Sequence, residues 1–313
     1  MVDVIIPTYR PKDGFYKLIK KLASQTVKPH KVIIMNTLSD EDGLVLTPEV
    51  CDGLDVEIHD IKRSEFDHGG TRDKAVRLSE AEFCVLMTQD ALPVDDRLIE
   101  AITAPFEDPR IAISFARQVA YEHASPAEKM TREFNYPAES SVRSVEDLEK
   151  LQIKTYFCSN VACAYRKSTY MELDGFVNGT IFNEDMIYAA KALKAGYKLA
   201  YAADAIVFHS HDYSGKQQFK RNFDNGVSHA DHPEVFSGVK QEGEGMRMVK
   251  YVCARLAKEG HALSVPGYIY HTGCKFIGFK LGCRYKRLPK CLVYAFSSDR
   301  NYFKKQDDFI KRQ

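Results

Sequence analysis

The 313-residue sequence has no tryptophan, no run of uncharged apolar residues long enough to cross a bilayer, and no cysteines at CxxC spacing. Spanning a membrane needs about 20 consecutive apolar residues, so an integral membrane protein is not expected. The amino terminus enters the β-branched run Val2-Asp3-Val4-Ile5-Ile6 at once, which argues against a secretory signal. The eight cysteines, at positions 51, 84, 158, 163, 253, 274, 283 and 291, stand singly, several of them in apolar segments. A thiol there behaves as a small hydrophobe, and reduced cysteines in a cytoplasmic protein are the simplest expectation. Neither a GxGxxG fingerprint nor a GxxxxGK[ST] loop occurs, which disfavours dehydrogenases and phosphate-loop kinases. Internal repeats and low-complexity segments are absent too.

Charge of one sign is also missing overall, with a net of +1, but it is unevenly distributed. From Met246 onward fifteen Lys and Arg face four Asp and Glu, a net of +11, which leaves −10 for residues 1–245. The acidic body is no nucleic-acid reader, whereas the basic, aromatic tail suits an anionic surface.

Apolar strand patterns at Val2 to Pro7, Val32 to Met35, Val56 to Ile61, Phe83 to Met87 and Ile111 to Phe115 alternate with helical patterns at Thr71 to Ser79 and Asp95 to Phe106. This order predicts an α/β fold with a mostly parallel sheet flanked by helices. Residues 119–157, charged and carrying Pro126 and Pro137, read as a mobile excursion over the sheet edge. A strand is expected again within Tyr156 to Tyr165, then a helix from Met186 to Ala195 stopped by Gly196, then a strand from Lys198 to Phe208. The corresponding division is 1–225 as a catalytic domain, with halves of about 1–118 and 119–225, followed by a basic helical region over 226–313.

Ligands of open α/β sheets bind at the carboxyl edge of the strands. There Phe83 to Met87 delivers Thr88-Gln89-Asp90, whose carboxylate suits a hard cation shared with a diphosphate. The first strand ends in Pro7-Thr8-Tyr9-Arg10 and the second in Asn36, with the Tyr9 ring as a flat face for a base. In Asp67-His68-Gly69-Gly70-Thr71-Arg72 a glycine pair opens a helix. Its free amides and the Arg72 fork would form an anion site. Asn183 is a candidate cap for a helix whose first turn holds Glu184 and Asp185, carboxylates that the helix dipole favours in ionised form. Such a group can act as a general base, and it equally describes an ordinary helix start. His209 and His211, at i and i+2 in extended chain, face one side and can share a metal.

The succession PTYR, FDHGGTR, TQDA, SNVACAYRKS, NED and HSHDY over residues 1–225 resembles the family-two inverting glycosyltransferases of the GT-A fold, and most closely their bacterial rhamnosyltransferase branch. That resemblance implies a nucleotide-sugar donor, with L-rhamnose from dTDP-rhamnose as the sugar, and a glycan or lipid-linked acceptor in cell-surface polysaccharide synthesis. It implies Asp185 as catalytic base with Glu184 beside it. Pro7, Thr8, Tyr9, Arg10, Asn36, Asp67, His68, Gly69, Gly70, Arg72, Gln89 and Asp90 would surround the donor. Ser159 and Asn160 would lie near the acceptor, and Asp90, His209 and His211 would hold Mg2+ or Mn2+. Thr88 stands where many relatives carry a first Asp, which predicts modest metal affinity. Asp73 and Asp174 replace the usual Asn and Gly, and no QxxRW motif is present, against a processive synthase.

A nucleotidyltransferase would release pyrophosphate instead, and a non-catalytic nucleotide-sugar binder would tolerate loss of Asp185. From Tyr268 to Leu292 the residues Ile269, Phe276, Ile277, Phe279 and Leu281 mix with Lys275, Lys280, Arg284, Lys286 and Arg287. That composition fits either a segment resting on the inner face of the cell membrane or one docked on the catalytic domain. Self-association is left open.

Overall fold

The structure is a computed structural model that describes residues 1–39, 51, 53–239 and 242–312. Its strands are β1 (Val2–Tyr9), β2 (Lys31–Thr37), β3 (Val56–Ile61), β4 (Phe83–Met87), β5 (Leu92–Pro93), β6 (Ile111–Val119), β7 (Ser141–Arg143), β8 (Ala162–Arg166) and β9 (Lys198–Phe208). They form one sheet in the order β3-β2-β1-β4-β8-β6-β9-β5, with β7 added on β9. The principal helices are α1 (Asp13–Ala23), α2 (His68–Leu78), α3 (Leu98–Thr103), α4 (Pro126–Asn135), α5 (Glu184–Lys194), α6 (Gly215–Asp231), α7 (Glu242–Lys258), α8 (Val265–Gly282) and α9 (Arg300–Arg312).

The expected parallel order holds in the first half, where β3, β2, β1 and β4 run together. The second half is mixed. β8 is antiparallel to both β4 and β6, while β6 and β9 are parallel. Because β8 runs the opposite way, the residues just before it reach the same edge as the carboxyl ends of β1, β2, β4, β6 and β9. One edge thereby collects side chains from distant parts of the sequence.

Both faces of the sheet are apolar, which explains why its strands read as nearly continuous hydrophobic runs. Val4, Ile6, Val32, Ile34, Val85 and Met87 pack on one side against Phe15, Leu18, Ile19 and Leu22 of α1 and Leu98, Ile99 and Ile102 of α3. Each of those four α1 side chains is at most 1% exposed, so each contributes about 1.5–3 kcal/mol of burial free energy. On the other side Ile5, Ile33 and Leu86 pack under α2 and α5 with an aromatic cluster of Tyr165, Tyr170, Phe176 and Tyr188.

Several expectations need correction. α2 begins at His68, before Thr71, because Asp67 caps it by accepting from the Gly70 amide. The helix expected over Asp95 to Phe106 starts only at Leu98 and tightens to a 3-10 turn at Ala104–Glu107, where Pro105 removes a helical donor. The strand within Tyr156 to Tyr165 is confined to β8. Residues 119–157 are not an unstructured excursion. Ser125 caps α4, Met130 and Tyr136 are buried, and β7 pairs with β9. One helix, α6, spans residues 225 and 226, where the two expected regions meet.

α6 and α8 touch backbone to backbone. A methyl group at Gly282 would sit 2.0 Å from the Phe223 carbonyl oxygen, and one at Gly278 2.2 Å from that of Phe219. Glycine is required there by close approach rather than by φ. The contact turns Phe279 and Leu281 inward, where Phe279 meets His229 and Leu281 packs with Phe223 and Val227.

Candidate active site

A cleft of about 600 Å³ opens at the shared sheet edge, lined in part by Tyr9, Arg63, Arg72, Thr88, Asp90, Ser159, Asn160, Glu184, Asp185, His209 and His211. At one end the Tyr9 ring follows β1. Its amide and carbonyl are gripped by the Gln89 side chain, which accepts from Tyr9 N at 2.9 Å and donates to Tyr9 O at 3.1 Å. The guanidinium groups of Arg10 and Arg63 lie 5.1 and 5.3 Å from the ring centre. Arg63 was not anticipated, since nothing marks a lysine- and arginine-bearing turn after β3 as part of a site. Thr8 and Asn36 are buried beneath this end rather than lining it. The Thr8 hydroxyl donates to Asn36 Oδ1 at 3.1 Å, and Asn36 Nδ2 donates to Asp60 at 2.7 Å.

The glycine pair of α2 does not present an open anion site. A methyl group on Gly69 would lie 1.9 Å from the Val177 carbonyl oxygen, so this glycine serves close packing of two backbones. Asp67 already fills the helix start, accepting from Gly70 N at 2.5 Å and Gly179 N at 3.1 Å. Arg72 turns to Glu184, 3.3 Å away, and donates to the His68 carbonyl at 2.9 Å. His68 itself is half-buried at the cleft wall, and desolvation pushes its imidazole pKa down.

The two carboxylates that open α5 are held differently. Glu184 is buried, accepts from Asn160 Nδ2 at 3.0 Å and is neutralised by Arg72. Asp185 faces the cleft, its oxygens accepting from Met186 N at 2.8 Å and Asn160 N at 3.1 Å. The helix dipole does not keep it comfortably ionised. Burial, joined by the negative charge of Glu184, raises its pKa to about 7 against the pull of those two amides. A carboxyl tuned to this range is suited to taking a proton near neutral pH. Asn183 occupies the cap position with φ +65° but makes no side-chain cap; it donates instead to Asn225 at 2.7 Å. Asn160 Oδ1 accepts from Tyr165 at 2.7 Å, so both side-chain atoms of Asn160 are engaged in positioning the acidic pair.

Asp90, His209 and His211 converge, with one ligand atom from each lying within 4.8 Å of the others. His211 Nε2 is 3.1 Å from Asp90 and 3.1 Å from His209 Nε2. Two imidazole nitrogens facing each other this closely repel unless a proton or cation lies between them. His209 Nδ1 meets Gln118 Oε1 at 3.0 Å, which fixes the proton on Nδ1 and leaves Nε2 as a lone-pair donor. Burial drives the His209 pKa down to about 3, so the ring is neutral as a ligand must be. Although burial opposes ionisation of Asp90, the His211 bond and the Thr88 hydroxyl hold its carboxyl well below the usual range. The donor set therefore fits a divalent cation. Gln118 also donates to Ser159 Oγ at 3.0 Å, so one amide braces both the metal end and the loop beside Asp185. Its only sequence signal is a polar residue near the end of an apolar strand.

The sequence profile described as glycosyl transferase family 2 matches residues 3–174. The chain is 38% identical over 306 residues to the O-antigen chain rhamnosyltransferase RfbN of Salmonella typhimurium, covering 96% of each. It is also 38% identical to the O-antigen chain rhamnosyltransferase WbaN of Salmonella anatum, covering 96% of this chain and 95% of the relative. Among solved structures, the mannosyltransferase PcManGT of Pyrobaculum calidifontis, in complex with GDP-Man and Mn2+, superposes with a TM-score of 0.61 at 13% identity. That match covers 90% of this chain and 86% of the other. TarS 1-349 of S. aureus with UDP gives 0.52 at 16% identity, covering 91% of each chain. These neighbours establish the GT-A architecture.

Proposed function

The chain belongs to glycosyl transferase family 2, and from that membership we propose that it transfers a single L-rhamnosyl unit from dTDP-rhamnose to a hydroxyl of a lipid-linked O-antigen glycan. The observation that carries this reading is the 38% identity to two O-antigen rhamnosyltransferases over nearly the full length of all three chains. Purified protein with dTDP-rhamnose, Mn2+ and a lipid-linked glycan acceptor should release dTDP in step with rhamnose transfer. Release of pyrophosphate, or transfer only from a different nucleotide sugar, would overturn it.

Asp185 receives the proton of the acceptor hydroxyl as that oxygen attacks the anomeric carbon from the face opposite the diphosphate. The two amides on Asp185 fix the direction of its free lone pairs, and Arg72 keeps Glu184 from adding a second unpaired charge. One displacement inverts the anomeric centre without a covalent enzyme intermediate. A divalent cation held by Asp90, His209 and His211 would neutralise charge on the departing diphosphate.

Because only the carboxylate of Asp185 can accept a proton, kcat/KM is expected to rise with pH and level off above about 7. A profile that stays flat between pH 5.5 and 8 by a donor-release assay, at the ~1-unit spacing a single titration requires, removes Asp185 from the role.

No described helix is long and apolar enough to cross a membrane. The outer face of α8 nevertheless exposes Ile269, Tyr270, Phe276 and Ile277, with Leu263 just before it. Lys280 sits 5.6 Å from the Phe276 ring, and Arg284, Lys286 and Arg287 follow. Such a face rests on an anionic bilayer, placing the enzyme peripherally on the inner side of the cell membrane beside lipid-linked acceptors. Replacing Phe276 and Ile277 together by Glu should cut cosedimentation with phosphatidylglycerol vesicles about tenfold or more, since two side chains that would enter the bilayer are lost, without moving Tm, since both are exposed in the folded protein. Unchanged vesicle binding would refute the contact.

A further inference from the structure

The family profile ends at residue 174, yet part of the cleft wall comes from far beyond it, including Phe182, Tyr213, Arg221, Ser298, Asp299 and Asn301. This wall is a continuous chain of contacts. His68 and Phe182 have ring centres 5.0 Å apart, the Arg221 guanidinium lies 5.5 Å from Phe182 and 4.9 Å from Tyr213, and Tyr213 stacks on the metal-site His211 at 4.9 Å.

The 297–301 turn is fixed in place rather than laid loosely over the cleft. Its Ser298 amide donates at 2.8 Å to Asp224, which is fully buried, and the Ser298 hydroxyl donates to the same oxygen. Lys220 donates to the Ser297 carbonyl at 3.1 Å, and Lys305 donates to the Phe66 carbonyl at 2.7 Å.

Held this way, the wall carries polar groups that the fold leaves unspent. Asp299 Oδ1 accepts from the amides of Asn301 and Tyr302, but Oδ2 has no partner among the described residues. The Asn301 side-chain amide has none there either, and Arg221 has two aromatic neighbours but no carboxylate partner among the described residues. A carboxylate oxygen accepts, a guanidinium donates, and a primary amide does both. That is the pattern needed by neighbouring sugar hydroxyls, each of which both donates and accepts. One cation and one anion together give no net attraction for a phosphorylated or acidic ligand.

We propose that Arg221, Asp299 and Asn301 form a subsite for a neutral sugar ring of the acceptor. The inference rests on the glycosyl-transfer reading above and moves acceptor recognition away from Asn160, whose side chain is engaged internally, to the helical layer beyond the family profile.

Asp299→Asn and Asn301→Ala test it, alone and combined. Asn caps a helix as well as Asp does, so the first change keeps the α9 start and replaces only the outward oxygen. With dTDP-rhamnose as donor and octyl glycosides of mannose, galactose, glucose and rhamnose as acceptors, each variant should raise acceptor KM about tenfold, the effect of one lost hydrogen bond. Slow donor hydrolysis without acceptor should stay within about twofold of wild type, since the donor contacts are untouched. An acceptor KM unchanged in the double variant, or donor hydrolysis falling in parallel, overturns the subsite. Wild-type hydrolysis with no transfer to any of the four glycosides overturns the assignment of a neutral sugar. A wild-type protein that hydrolyses no dTDP-rhamnose overturns the rhamnosyl-transfer reading as well.

Discussion

Asp185→Asn is expected to slow sugar transfer by about 10²- to 10⁴-fold, the usual contribution of a general base. The amide cannot take the proton of the acceptor hydroxyl. It also disturbs its own seat, because Asp185 accepts backbone amides on both oxygens and an Asn side chain offers only one acceptor. The other amide, at Asn160 or Met186, then faces an NH2 group, a local penalty of about 1–3 kcal/mol. The residues expected to meet the donor, Tyr9 and the Asp90, His209 and His211 cluster, line the same cleft from other elements and are left unchanged. Calorimetry should therefore find dTDP-rhamnose binding within a few-fold of wild type while turnover collapses. Near-normal turnover would show that the acceptor proton leaves by another route, and equal loss of binding and turnover would show that the carboxyl serves the donor instead.

Asp90→Ala should remove about 10²-fold or more of activity, comparable with loss of a group that stabilises developing charge, together with measurable Mn2+ binding. Asp90 is the sole carboxylate in the cluster, since Thr88 occupies the neighbouring position on the same strand end. Two imidazoles left alone 3.1 Å apart form a poor site for a hard cation, which prefers oxygen ligands. The readout independent of activity is Mn2+ titration by electron paramagnetic resonance. Wild type should bind weakly but measurably, Asp90→Ala should not, and His211→Ala should fall between them because His209 retains its Gln118 brace. Retention of wild-type Mn2+ affinity in Asp90→Ala would place the cation elsewhere.

The parts of the fold and site legible in the sequence are those with a local signature. Strands β1, β2 and β4 are short apolar runs ending in polar turns, and with β9 they were legible as strands from pattern alone. Asp90, His209 and His211 follow strand ends and Asp185 opens a helix, and all four line the cleft at the sheet edge. The glycine pair Gly69-Gly70 was misread because a glycine signals close approach without saying to what; here the neighbour is the Val177 carbonyl. Arg72 looked free in the sequence because Glu184, its partner, lies far along the chain. Gln118, Arg63 and the 297–301 turn carry no motif at all, and only tertiary packing gives them a place. The ionisation of Asp185 followed the same rule. The helix start was legible, whereas the burial and the adjacent Glu184 charge that outweigh its dipole were not.

The glycine seam between α6 and α8 has a mechanical consequence. Where Gly226, Gly278 and Gly282 let the two backbones touch, no side chain separates them, a contact that favours joint movement of the pair. One arm carries Arg221 into the cleft and the other carries Ile269, Phe276 and Ile277 outward. If the proposed membrane contact and acceptor subsite both hold, a tilt imposed on the outer arm would reach the cleft wall that Arg221 lines, and the angle at which the protein meets a surface would bear on how it receives a chain end.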